Sequence, residues 1–263
     1  MNLGGRTALV TGASGGLGQA IAQALVRRGA SVVLTARRAE VLESLAAETG
    51  GRALPCDLGD RSALERLVEE AGAVDVLVAN AGIPGSGPID SFSLEEIDRA
   101  LDVNLRAPMV LARLMCEGMA ARGGGQIVFV SSLSGKAGTA GSSVYAATKF
   151  GLRGFAQGMR EDLRPRGVGV STVFPGFIRD AGMFHDSGAR LPGYLRTKTP
   201  EDVADAVVAA IEHDRSEVSV APLPLKLGTA IAGLAPEAAA IVQRRLGADK
   251  VASQFETGQR DKR

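Results

Sequence analysis

Short aliphatic and β-branched runs alternate along the chain with longer stretches in which apolar residues recur at helical spacing. The short runs, residues 8–11, 31–35, 52–55, 74–79, 126–131, 169–174 and 217–221, predict strands. The longer stretches, residues 16–28, 39–48, 61–70, 93–122, 144–164 and 200–213, predict helices. Ile21, Leu25 and Val26 in the first helix, and Val203, Val207 and Ile211 in the last, share one face that the pattern turns towards a sheet. Strands of nearly continuous apolar character, each followed by a helix, build a parallel sheet covered on both faces. The expected fold is therefore α/β, doubly wound, with seven strands in one sheet.

The pattern changes after Ala221. Residues 226–246 predict one or two helices, broken near Pro236, with an apolar side made of Leu227, Ile231, Leu234, Ile241 and Leu246. One reading packs this segment on a neighbouring subunit or over the active site. Another lays it on a membrane surface, with Lys226, Arg244 and Arg245 supplying positive charge. Residues 257–263 read as a frayed tail. No repeat, low-complexity block or linker divides residues 1–263, so one domain is expected, with an extension from about residue 222.

Composition narrows the function classes. The chain has 263 residues, 45% of them apolar, enough to bury one large core. Its 30 basic and 29 acidic residues leave a net charge of +1, which would not gather a polyanion, so nucleic acid is not an expected partner. Cys56 and Cys116 lie in apolar runs and cannot form a disulfide framework, which fits a reducing, cytoplasmic setting. No signal segment is evident before the first strand, and no apolar run reaches the roughly 18 residues of a membrane span. With 2 histidines in the chain, a metal site is not expected.

The first strand leads into Thr11-Gly12-Ala13-Ser14-Gly15-Gly16-Leu17-Gly18, a glycine cluster that opens the first helix. There the pyrophosphate of a dinucleotide would rest against backbone N–H groups and a helix N-terminus, and glycine lets the backbone come close. A tight strand-to-helix turn would also need such residues. The second strand ends in Thr35-Ala36-Arg37-Arg38, where an acidic side chain would otherwise hold the ribose hydroxyls of NAD. Two guanidinium groups in that place suit a 2′-phosphate, so NADP(H) is expected over NAD(H). Asp57 stands where it would accept a hydrogen bond from adenine, or serve as a helix cap with Asp60. Asn80-Ala81-Gly82 puts small residues and an amide beside the same cleft.

Tyr145-Ala146-Ala147-Thr148-Lys149 opens another helix, and the spacing places phenol and ammonium on one face. A free phenol titrates near 10, so it needs a nearby cation to work as an acid-base near neutrality, and Lys149 would supply one. Ser131 and Ser132 end the fifth strand at the carboxyl edge, where doubly wound sheets place their ligands. Asn104, an amide among apolar neighbours in a long helical stretch, would hold a water beside the lysine or stabilise a kink.

Taken together, Thr11-Gly12-x-x-x-Gly16-x-Gly18, Asn80-Ala81-Gly82, Asn104, Ser132, Tyr145-x-x-x-Lys149 and Pro175-Gly176 resemble, in order and spacing, the single-domain short-chain dehydrogenase/reductase family. The resemblance covers roughly residues 5–220. It implies a Rossmann-type fold and a catalytic set of Asn104, Ser132, Tyr145 and Lys149. It also implies a nicotinamide cofactor held by Gly12, Ser14, Gly15, Gly16, Leu17, Gly18, Arg37, Arg38, Asp57, Leu58, Asn80, Ala81, Gly82, Tyr145, Lys149, Pro175, Gly176 and Ile178. A homodimer or homotetramer is the implied assembly. Where the family commonly has a threonine after Pro-Gly for the nicotinamide carboxamide, this chain has Asp180 nearby, leaving the Ile178 backbone as an expected contact. The usual Asp-Gly-Gly close after the last strand is replaced by Ala221-Pro222-Leu223-Pro224.

The expected reaction moves a hydride between the nicotinamide and a carbonyl or alcohol. Tyr145 would act as acid-base, Ser132 would polarise the oxygen, Lys149 would hold the ribose, and Asn104 would anchor a relay water. The substrate pocket is expected from residues 133–143 and 177–198, including Met183, Phe184, His185 and Tyr194, with space left by Gly135, Gly138 and Gly141. Its apolar residues suit a hydrophobic ketone or aldehyde. Lys136 could meet an acidic group but reads first as a solvated loop lysine, and His185 reads as a lid residue. The rival classes are an NADP(H)-binding regulator without turnover, which would not need the proton donor, and a protein whose C-terminal helix works at a membrane surface.

Overall fold

A computed structural model describes residues 1–191, 196–245 and 248–262, so Tyr194 and Leu246 lie outside the described residues. Seven strands form one sheet: β1 (Thr7–Thr11), β2 (Ser31–Thr35), β3 (Arg52–Ala53), β4 (Val76–Ala79), β5 (Gly125–Val130), β6 (Val168–Pro175) and β7 (Glu217–Val220). Every pairing is parallel, in the order β3-β2-β1-β4-β5-β6-β7. The order reverses between β1 and β4, which opens a crevice at the carboxyl edge.

Side chains of successive strand residues leave opposite faces, so two cores form. Ala8, Val10, Val32, Leu34, Val76 and Val78 meet α1 (Gly16–Arg27) and a later helix through Ile21, Leu25, Val203, Val207 and Ile211. That helix, Pro200–Glu212, begins on a capping box between Thr199 and Asp202 with Pro200 in its first turn. On the other face, Leu9, Val33, Leu77, Ile127 and Phe129 meet Leu64 and Leu67 of a helix spanning Ala63–Ala71. They also meet Leu111, Met115, Leu152 and Ala156 of two longer helices. The periodic positions singled out from sequence thus face the sheet, although Val26 is only partly buried.

In chain order the remaining helices are α2 (Ala39–Thr49), α3 (Ala63–Ala71), α4 (Leu94–Leu101), α5 (Ala107–Ala121), α6 (Ser143–Leu163), α7 (Gly182–Ser187), α8 (Pro200–Glu212), α9 (Leu223–Leu234), α10 (Pro236–Arg245) and α11 (Ala248–Gln259). The expected single helix over residues 93–122 is interrupted by a π-helical turn, Asp102–Arg106, that carries Asn104. The chain after β7 breaks at Pro236 as the sequence predicts, but Leu227, Ile231, Leu234 and Ile241 are exposed and cover no site. The element that does cover one is α11. The expected frayed tail is instead the end of that helix, followed by a 3-10 turn at Arg260–Lys262, with Gln259 only 3% exposed. Aromatic packing explains the difference: Phe255 sits 6.3 Å from Phe177 and 5.8 Å from Phe184, centroid to centroid. Among the described residues no helix is long and apolar enough to cross a membrane.

Candidate active site

A cleft of about 790 Å³ runs along the carboxyl edge of the sheet. Its lining takes in the glycine turn, residues at or just beyond the ends of β2 to β6, Tyr145 and Lys149 of α6, the start of α7, Gln259 at the end of α11 and Asp261 just after it. Every residue assigned to the cofactor from sequence lies on this wall, from Gly12 and Ser14 at one end to Pro175, Gly176 and Ile178 at the other.

The glycine turn shows why it has no side chains. Gly12 has φ +65°, and a Cβ there would come 2.8 Å from Ala81 Cα. A Cβ on Gly18 would collide with Gly12 O and Ala13, so helix and strand pack closer than alanine permits. No side chain caps the N-terminus of α1 and no acidic residue stands in its first turn, leaving N–H groups and a positive dipole end at the cleft. Asn80 closes the turn from behind: its Nδ2 donates 2.9 Å to Thr11 O, and its own N–H donates 3.0 Å to Thr11 Oγ1.

At the outer end, Ala36 is buried and Arg37 and Arg38 are exposed. The Arg38 guanidinium folds back on the glycine turn, donating 2.6 Å to Ser14 O and 3.3 Å to Ser14 Oγ. Arg37 makes no such bond among the described residues and stands at the cleft with its donors open. Asp57 accepts 2.9 Å from the Gly59 N–H, a turn bond rather than a helix cap, and Leu58 beside it is buried. These features fit a phosphorylated dinucleotide: a backbone cradle that a Cβ would fill, and a free guanidinium where NAD would need a carboxylate.

The catalytic candidates meet at the other end. Ser132 lies two residues beyond β5, at the start of a 3-10 turn, and accepts 3.2 Å from the Ser134 N–H, while its hydroxyl also pairs with that of Tyr145. Lys149 is buried, donates 3.1 Å to Val130 O, and stands 5.5 Å from the centroid of the Tyr145 ring. Gly85 makes room for this helix start, since a Cβ there would lie 3.1 Å from Tyr145 N. Burial pushes the Tyr145 phenol up to about 12, with the Ser132 hydrogen bond pulling the other way, and burial pulls the Lys149 amine down to about 8. The expected lowering of the phenol by the lysine is therefore not what the chain alone produces. Desolvation drives both groups towards their neutral forms, and the ammonium points at a carbonyl.

Asn104 does not line the cleft. It is fully buried, donates 2.9 Å to Ile83 O and accepts 2.7 Å from Ile83 N–H, so the amide ties the π turn to the chain leaving β4. Of its two sequence readings, the satisfied amide at a kink is the one these bonds describe. Asp180 also departs from expectation. It adopts φ 69°, is exposed, and pairs with Arg179 at 3.3 Å, away from the cleft. Lys136 is not a solvated loop residue, because its ammonium sits 2.8 Å from Glu217 and 4.0 Å from the Phe174 ring centroid. His185 is exposed on α7, 3.2 Å from Asp186.

Sequence reasoning missed Arg99, Val103, Ile83, Pro84, Gln259 and Asp261, which also line the cleft. None belongs to a spaced motif, and the last two reach it only because α11 docks on α7.

The family model "short chain dehydrogenase" matches residues 6–191. A ketoacyl reductase of Nostoc, HetN, is 39% identical over 260 residues, covering 93% of this chain and 90% of that protein. Among solved structures, a putative betaketoacyl-ACP reductase superposes with a TM-score of 0.78 at 32% identity, covering 85% of this chain and 99% of the other. A short-chain dehydrogenase from Sphingobium yanoikuyae in complex with NADPH superposes at 0.75 and 30% identity, covering 88% and 96%. The chain belongs to the short-chain dehydrogenase/reductase family, oxidoreductases that act on C=O and CH–OH groups.

Proposed function

We propose that the chain is an NADP(H)-dependent reductase of a carbonyl substrate, with Tyr145 as proton donor. The observation that carries this reading is the Tyr145–Ser132 hydroxyl pair beside Lys149, on one wall of a cleft whose far end presents Arg37. When bound, the dinucleotide supplies the hydride. The uncapped start of α1 would hold its pyrophosphate and Arg37 its 2′-phosphate. Ser132 orients the substrate oxygen, and Tyr145 gives that oxygen its proton. A phenol pushed up to about 12 keeps its proton at neutral pH, which supports the reductive direction. Lys149 holds the adjoining ribose and re-protonates the phenol. Asn104 fixes the floor of the site, and its own bonds support a positioning role. The NADPH complex of the Sphingobium relative supports the cofactor, and the ketoacyl reductase relative supports a keto substrate. Exposed Leu94, Leu101 and Phe150 on α4 and α6 support a homodimer or homotetramer.

The test is absorbance at 340 nm with a panel of ketones, aldehydes and 3-ketoacyl thioesters, each with NADPH and with NADH. Oxidation of NADPH by at least one keto compound, faster than of NADH, is expected. Tight NADPH binding with no turnover of any of them would favour the regulator instead.

A further inference from the structure

The helix that carries the acid-base pair repeats its spacing beyond that pair. Tyr145, Lys149, Arg153 and Gln157 stand four residues apart on α6 and so share one face. Tyr145 and Lys149 line the cleft, whereas Arg153 and Gln157 do not, and both of these reach Glu217 on β7. Arg153 meets that carboxylate with two donors, 2.6 Å from Nε to Oε1 and 3.1 Å from Nη2 to Oε2. Gln157 Nε2 donates 3.0 Å to Oε1.

The same carboxylate holds the element that carries Ser132. Ser132 caps the 3-10 turn Leu133–Gly135, and Lys136 closes it, its N–H donating 2.9 Å to Leu133 O. The Lys136 ammonium then reaches 2.8 Å to Glu217 Oε2 and 3.2 Å to Ser219 Oγ, over the face of the buried Phe174 ring. On its other side the turn is pressed against α6, where a Cβ on Gly135 would lie 2.7 Å from Lys149 O. Glu217 therefore bonds to both elements, the turn and the helix, whose hydroxyls meet at the cleft. Desolvation would raise its carboxyl, but hydrogen bonds from Arg153 and Lys136 outweigh this and hold it below the usual carboxylate value, so it is ionised at neutral pH. Lys136 and Arg153 both stand over the Phe174 ring, and without the negative charge between them they would repel each other.

We propose that Glu217 is a positioning residue for the proton transfer: by gripping Lys136 and Arg153 with one carboxylate, it fixes the Ser132 turn against α6 and holds the Ser132 and Tyr145 hydroxyls together. Its part in catalysis rests on the reductase reading above. Glu217 touches neither substrate nor cofactor, since it does not line the cleft. It acts through the two elements it joins.

The experiment reads the hydroxyl pair directly. The chain has 2 tyrosines, so Tyr194→Phe leaves Tyr145 as the sole source of a tyrosine signal. In that background, full-length protein labelled with carbon-13 at the tyrosine Cζ is compared by NMR as Glu217→Gln, Lys136→Met, Lys136→Arg and Ser132→Ala. Glu217→Gln and Lys136→Met should both move the Tyr145 signal towards its position in Ser132→Ala, and Lys136→Arg, which keeps the ion pair, should return it to the starting position. In the keto-substrate assay the two disruptive variants should lose about ten- to a hundredfold in kcat, the cost of a small misplacement of reacting groups. NADPH affinity should stay within about twofold, since the clamp stands apart from the cofactor wall. Lys136→Met leaves the Glu217–Arg153 pair intact, so it carries the test if Glu217→Gln does not fold. A signal that stays in place in either folded variant overturns the assignment, as does one that Lys136→Arg fails to restore, or a moved signal with kcat unchanged. The signal is read without substrate or cofactor, so a wild type that turns over no keto compound ends the reductase reading while the clamp itself is still decided.

Discussion

The carboxyl edge of the sheet and α11 line the same cleft but hold their side chains by different means. At the edge, Asn80 is bonded to Thr11, Asn104 to Ile83 and Lys149 to Val130, each fixed to backbone at or just beyond the end of a central strand. In α11 the hold is three aromatic rings and a few side-chain bonds across to the segment after β6. The first arrangement cannot yield without disturbing the sheet, whereas the second can come away by itself. A site built this way has a rigid reacting end and one wall that can be removed experimentally without unfolding the rest.

The largest expected effect comes from breaking the edge. Gly18→Val would drive a side chain into Gly12 O and Ala13. Titration should then find no measurable NADPH binding, with about 1–3 kcal/mol of stability lost in denaturant unfolding. Next is Arg37→Ala, which removes charge-assisted hydrogen bonds worth about 1.5–3 kcal/mol. NADPH affinity should fall roughly ten- to a hundredfold while NADH affinity stays within about twofold, and equal losses would detach Arg37 from the 2′-phosphate.

A smaller effect reports on the buried pair. Lys149 is neutral in the folded chain above about 8 but stays protonated in the unfolded chain to about 10.5. Over that window the unfolded state binds more protons, so stability rises with pH, by at most about 1.4 kcal/mol per unit. Tyr145 acts in the opposite sense, losing stability between about 10 and about 12, where only the unfolded phenol ionises. Urea midpoints across this range should peak near the crossover, and Lys149→Met should abolish the rising limb. The smallest effect loosens the removable wall. Phe255→Ala should cost about 0.5–1.5 kcal/mol. Amide exchange should quicken across α11 and α7 while the central strands keep their protection.

The same contrast explains what the sequence disclosed. Strand periodicity and the glycine turn are local signals, so the seven-stranded sheet and the cleft residues from Gly12 to Ile178 were legible, whereas the strand order came only from the structure. The π turn at Asp102–Arg106 was not, because its cause is a tertiary bond from Asn104 to Ile83 that no spacing encodes. Lys136 misled for a similar reason: its partners Glu217 and Phe174 are distant in sequence. The role of residues 248–262 depends on rings that meet only after folding, so a polar tail pattern concealed a buried Gln259.

The central claim is that Tyr145 delivers the proton within an otherwise intact cofactor site. It is tested most directly by Tyr145→Phe, assayed at 340 nm with the best keto substrate from the panel and in parallel for NADPH affinity and melting temperature. The account predicts a fall in kcat of about 10²–10⁴ with affinity and melting nearly unchanged. Turnover at the wild-type rate by a folded variant that still binds NADPH would contradict it.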